Sequence, residues 1–127
     1  MQRKWIFVGS IMMMLAVAIG AFGAHIVKAR IDADALAVYE TGVKYHMIHA
    51  VGLLIIALAA GQWGPSNRLR WAARLLLTGI ILFSGSLYVL SLTGIRVLGA
   101  ITPLGGVCFI AGWILLAWAA MGLKKED

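Results

Sequence analysis

The chain has 127 residues, 62% hydrophobic and 13% charged, with a formal net charge of +6 and a mean hydropathy of +0.94. Soluble domains carry about 25% charged residues and disordered segments pair low hydrophobicity with high net charge, so both classes are excluded. Nucleic-acid binding goes with them, because the cations lie between apolar blocks instead of gathering on one polar face, and a single membrane domain over 1–127 remains.

A hydrocarbon layer about 30 Å thick needs about 20 mostly apolar residues as helix, since lipid offers no partners to an open backbone. Four blocks meet that length, at about 5–27, 45–63, 75–95 and 103–123. The first follows Arg3 and Lys4 and ends in Ala21-Phe22-Gly23-Ala24, a pattern shared with secretory leaders. Its apolar run is longer than a leader's, so it is read as a retained span. Within it Ala16, Gly20 and Ala24 repeat at four-residue intervals, the small-residue spacing that lets membrane helices approach closely.

Between the first two blocks Asp32 is suited to cap a helix, and 33–44 contains no breaker except Gly42. Glu40 and Lys44 stand in the favoured i, i+4 order, and Leu36, Tyr39 and Val43 share a face. A short interfacial helix running into span two is predicted. A tight polar turn follows at 61–67, around Gly64 and Pro65. Span three carries Ser84, Tyr88 and Ser91 on one face, and packing accounts for these hydroxyls. Pro103 suits the first turn of span four, with Thr102 as its N-cap. Residues 94–101 then form an apolar connector, either re-entrant or continuous with helix four. Along span four Thr102, Gly105, Phe109, Gly112, Leu116 and Ala119 make a seam of mostly small residues.

The cations assign the orientation. One end collects Arg3, Lys4, Arg68, Arg70, Arg74, Lys124 and Lys125, the other Lys28, Arg30, Lys44 and Arg96. Cytoplasmic ends carry the excess, so both termini are expected inside the cell.

Polar content is concentrated in the outer half. His25 closes span one, His46 and His49 open span two one turn apart, and Tyr88, Ser91 and Thr102 lie at the same level. With Glu40 they form the candidate locus for a small ligand or a membrane partner. Histidine is the commonest metal ligand, so His25, His46 and His49 were weighed as a metal or haem site. The spacing is weak evidence for one, Cys108 lies elsewhere in an apolar block, and no metal is assigned. No catalytic residues are assigned either, because no nucleophile is paired with a base and an orienting group. The span centres hold no Asp, Glu, Lys or Arg, which argues against a transporter built on a buried carboxylate. Two alternatives stand beside the binding role: a small oligomeric channel or transporter, and an accessory or assembly subunit of a membrane complex.

Several motifs carry a resemblance. Gly20-Ala21-Phe22-Gly23-Ala24-His25, Thr41-Gly42-Val43-Lys44-Tyr45-His46 with His49-Ala50, Phe83-Ser84-Gly85-Ser86-Leu87-Tyr88, and Ile101-Thr102-Pro103-Leu104-Gly105-Gly106 with Gly112-Trp113 occur in that order. In these the chain resembles the small four-span family of unknown function that bacterial inner membranes share with animal mitochondria. The resemblance implies an all-α, four-helix integral protein of the bacterial inner membrane, with no established reaction, substrate or cofactor.

Overall fold

A computed structural model describes residues 1–123. Lys124 and Lys125, counted above for orientation, lie outside the described residues. The chain is all-α, with four helical rods long and apolar enough to cross a membrane: Gln2–Ala29, Ala33–Trp63, Asn67–Thr93 and Arg96–Met121. The first consists of α1 (Gln2–His25) and a 3-10 turn, Val27–Ala29. The second is a single helix, α2 (Ala33–Trp63). The third joins α3 (Asn67–Gly79) to α4 (Gly85–Thr93) through a π-helical turn, Ile80–Ser84. The fourth begins with a 3-10 segment, Arg96–Ala100, and continues as α5 (Thr102–Met121).

The predicted interfacial helix is not a separate element. Residues 33–44 are the opening turns of α2, begun by Asp32, whose side chain accepts the Ala35 N–H at 2.8 Å. At 1.5 Å per residue, 31 residues reach about 46 Å, so α2 outruns the hydrocarbon and needs no bend. The predicted polar turn at 61–67 shrinks to 64–66. Gly64, at φ 84°, reverses the chain in a region that L side chains rarely enter, and the Ser66 hydroxyl accepts the Leu69 N–H at 3.2 Å to open α3. At the opposite end Gly94, at φ 73°, closes α4.

Thr102 is not the N-cap of the last helix. Ile101 holds that place without a side-chain cap, and the Thr102 hydroxyl instead meets Ser86 Oγ at 2.7 Å. In lipid a hydroxyl is better satisfied by a neighbouring helix than left at a frayed end. The connector question resolves as a 3-10 segment leading directly into α5.

α2 is the central rod, packing on α1 along one side and on the third rod along another, while α5 lies against α3 and the π turn. The core is filled by Trp5, Leu53, Ile56, Ala57, Leu69, Ala72 and Leu76, with Phe109 reaching in from α5. Glycines set the tightest crossing. A Cβ on Gly112 would stand 2.6 Å from Leu76 Cδ2, and one on Gly79 would run into the Phe109 ring. In α1 the face turned to α2 is Trp5, Gly9, Ala16 and Gly23. Gly20 is half-buried beside Val43, and Ala24 is exposed. The expected repeat Ala16, Gly20, Ala24 is therefore corrected to a seven-residue one, Gly9, Ala16, Gly23. A four-residue step advances 400° and drifts around the rod, whereas seven residues bring the same face back.

Candidate functional site

The polar groups expected to cluster lie on two sides of α2. His46 and His49 are both buried, at 3% and 4% exposure, and each has its own set of partners.

His46 turns toward α1 and α4. Its Nδ1 lies 2.9 Å from the Tyr88 hydroxyl, and Gly42, one turn earlier, makes room for that ring: a Cβ there would be 2.8 Å from Tyr88 Cε1. Tyr39 packs on Tyr88 with ring centroids 5.4 Å apart and donates its hydroxyl to the Ile19 carbonyl of α1 at 2.6 Å. Gly23 supplies the space for the Tyr39 ring. The Ser91 hydroxyl donates to the Tyr88 carbonyl at 2.9 Å within its own helix. His46 Nε2 is buried without a hydrogen-bond partner. The layer thus ties three rods together through side chains that lipid would not satisfy.

His49 turns toward α5. The Trp113 indole N–H donates to His49 Nε2 at 3.0 Å, and His49 Nδ1 lies 2.7 Å from the Tyr45 carbonyl. An indole nitrogen can only donate and a carbonyl can only accept. Together they fix His49 as the neutral tautomer with its proton on Nδ1 and leave neither ring nitrogen free. The ring stacks on Phe109 with centroids 3.5 Å apart and planes 10° from parallel. Tyr45 and Phe83 add to the stack at 4.6 Å.

Beside this stack α2 and α5 diverge, bridged by the His49–Trp113 bond, and leave a groove of about 490 Å³. Tyr45, His49, Phe83, Phe109 and Trp113 line it, with Gly106 at the edge. Exposed Ile48 and Ile110 flank its mouth, so it opens sideways, toward lipid. Its back wall is the π turn. The wider turn carries Phe83 toward the groove and Ser84 inward, where the Ser84 hydroxyl is fully buried without a partner. π turns recur at functional sites because the extra residue re-aims the side chains around it.

The expected outer cluster is therefore divided. His46, Tyr88 and Ser91 meet on the α1 side of α2, His49 faces α5, and Thr102 pairs with Ser86. His25 joins none of them. The contact of Gly23 with Tyr39 sets the register of α1 against α2, so His25 stands beyond Tyr39, and it is exposed there. The seven residues from Tyr39 to His46 add about 10 Å along the helix. Glu40 is exposed as well, on a shallow groove with Gly20, Ala24 and Lys44. Among the described residues no three His, Cys, Asp or Glu side chains converge. The residues missed from the sequence are Trp113, Tyr45, Phe83 and Phe109. One signal pointed to the first of them: an indole N–H in the middle of an apolar helix needs an acceptor, and His49 is a nearby imidazole in the adjoining span.

The family profile for "Protein of unknown function (DUF423)" matches residues 19–106. The UPF0382 membrane protein YwdK of Bacillus subtilis (strain 168) is 50% identical over 120 residues, covering 94% of this chain and 98% of its own. The UPF0382 membrane protein SH2409 of Staphylococcus haemolyticus is 46% identical over 115 residues, 91% of this chain and 93% of that one. The UPF0382 membrane protein SAB0533 of Staphylococcus aureus is 49% identical over 115 residues, with the same two coverages. No solved structure matches. The matched segment contains both histidines of α2, the π turn and the start of α5, and the chain belongs to this family of membrane proteins of unknown function.

Proposed function

We propose that the protein is a non-enzymatic binding component of the bacterial inner membrane, whose working surface is the lateral groove between α2 and α5. The observation that carries this reading is the groove itself: about 490 Å³, walled by aromatic rings and flanked by exposed aliphatic side chains. Cavities of that size with flat apolar walls and few polar groups suit small ligands. A lateral mouth admits a molecule dissolved in the bilayer. The ligand class is therefore an apolar molecule with a planar ring, stacked between Phe83 and Trp113, and the half-exposed Tyr45 stands at the entrance.

Two further features support binding over reaction or conduction. His49 has both nitrogens engaged, so it is poorly placed as a general base. Leu53, Ile56, Ala57 and Leu76 are fully buried where an aqueous path through one copy would run. In this reading both termini face the cytoplasm, because α1 and α3 carry Arg3, Lys4, Arg68, Arg70 and Arg74 at that end.

Filling the groove tests the proposal. A Cβ at Gly106 meets only Phe83 Cδ2, at 3.9 Å, so Gly106→Leu can begin at the edge of the groove without its Cβ striking backbone. Mass spectrometry of apolar molecules copurified in mild detergent should find a planar species with the wild type that is lost in the variant, at equal thermal stability. Identical extracts from both proteins, or a copurifying polypeptide in place of a small molecule, would remove the ligand reading. Orientation is checked by single cysteines at Asp34 and Asn67 in a Cys108→Ala background. An impermeant maleimide should label the first in intact cells and the second only after lysis.

A further inference from the structure

At the opposite end from the groove, Lys4, Arg70 and Arg74 line one small cavity of about 190 Å³ between the first turns of α1 and α3, with Trp5 beside them. Neither α1 nor α3 has an acidic residue in its first turn. Asp32, Asp34 and Glu40, the acids among the described residues, lie around the far end of α2. Among the described residues the three cations have only weak local partners. Lys4 Nζ sits 5.4 Å from the Trp5 ring centroid and the Arg74 guanidinium 5.1 Å from that of Trp71. Arg70 reaches Asn67 Oδ1 at 3.4 Å. Arg68 differs: it donates to the Trp118 carbonyl and covers the Trp118 ring, so it is engaged with the end of α5.

Three like charges around so small a space repel one another, and an anion seated among them reverses the sign of that interaction. Apolar side chains follow further along both helices. Val8 and Met12 of α1 and Leu77 of α3 are only partly buried against the core. Arg70, Arg74 and Leu77 fall at i, i+4 and i+7 on one face of α3, and on α1 Val8 lies one turn beyond Lys4. A basic pocket between transmembrane helices, at the headgroup level and beneath an apolar seam, matches a phospholipid whose phosphate bears net negative charge.

We infer that Lys4, Arg70 and Arg74 form a binding site for the phosphate of an anionic phospholipid, with its chains lying along the seam between α1 and α3. The cavity has room for a headgroup phosphate and not for the chains. Arginine suits this role because its planar fork can bind two phosphate oxygens at once. The inference is independent of the groove between α2 and α5.

The test uses the full chain purified in an uncharged detergent, with phosphatidylglycerol, phosphatidylcholine and inorganic phosphate as separate probes. Lipid retention is read by native mass spectrometry and stability by thermal unfolding. Phosphatidylglycerol should be retained and raise the unfolding midpoint, while phosphatidylcholine and inorganic phosphate at equal concentration should not. Each cation near the headgroups contributes about fivefold, so Arg70→Gln with Arg74→Gln should weaken phosphatidylglycerol binding about 25-fold. Arg96→Gln, at the other end of the rods, should leave it unchanged. If the double glutamine variant loses its helical circular dichroism, Lys4→Gln carries the test with an expected loss of about fivefold, beside Arg70→Lys with Arg74→Lys, which keeps the charge but not the fork and should still select phosphatidylglycerol over phosphatidylcholine. Equal retention of the two lipids, wild-type binding by the charge-removed variants, or displacement of phosphatidylglycerol by inorganic phosphate alone would overturn the inference.

Discussion

Gly105 and Gly106 are adjacent in α5, and the structure assigns them opposite responses to the same change. A Cβ on Gly105 would stand 2.7 Å from Phe83 Cβ and 2.8 Å from its Cα, and closer still to its backbone nitrogen. Ordinary carbon contacts begin near 3.5 Å, so Gly105→Ala is short of space by close to an ångström. The obstacle is backbone, held within the π turn, and cannot rotate aside. Relief requires α5 to retreat, which would stretch the Ser86–Thr102 bond of 2.7 Å in the preceding turn. Overpacking of this kind costs about 1–3 kcal/mol. At Gly106 the nearest atom is 3.9 Å away, an ordinary contact. Both substitutions gain the same helix propensity, about 1 kcal/mol for glycine to alanine, so that contribution cancels in the comparison. Gly105→Ala should therefore be less stable than Gly106→Ala by about 1–3 kcal/mol, measured by reversible unfolding in mixed micelles of mild detergent and dodecyl sulfate. Equal unfolding free energies for the two variants would refute the claim that close approach of α5 to the π turn sets this crossing.

Three other outcomes follow from the same contacts. Trp113→Phe keeps most of the ring but removes the donor to His49 Nε2; bonds between membrane helices average about 0.6 kcal/mol and reach about 1.7, so a loss in that range is expected in the same unfolding assay. Tyr39→Phe breaks the 2.6 Å bond to the Ile19 carbonyl and should loosen the end of α1, seen as faster amide hydrogen exchange over residues 19–25 with the α3–α5 contact unchanged. His25→Ala and Glu40→Gln change exposed side chains and should each stay within about 0.5 kcal/mol of wild type; a larger loss on unfolding would place them in contacts absent from this packing.

The two glycines and His49 also show how much of the site could be read in advance. The 3,4 spacing of Gly105, Phe109 and Gly112 placed them on one side of a helix, and all three are buried. His46 and His49 were legible as neighbouring polar groups at the start of span two, but their burial was not. Their partners were not legible. Tyr88 was expected on the same cluster as both histidines, yet it meets only His46, and Trp113, which meets His49, was not among the expected site residues. Three residues turn a helix through 300°, so His46 and His49 differ by 60° in direction, and in a packed bundle that difference points them at different neighbours. His25 illustrates the same limit. Its place at the end of span one followed from the sequence, but the register of α1 on α2 did not, and Gly23 against Tyr39 decided it.

What the sequence determined by itself is the solvent and hence the architecture. Hydropathy sums over some twenty residues per span, and lipid then forces every span into a helix that satisfies its own backbone. Such a sum tolerates errors at single positions. The groove between α2 and α5, the π turn behind it and the convergence of Lys4 with Arg70 and Arg74 were decided only in the tertiary structure. Each depends on the rotation and register of one rod against another, and these are fixed by where a few glycines admit a neighbouring side chain or backbone, a short-range steric condition that no running average along the chain contains.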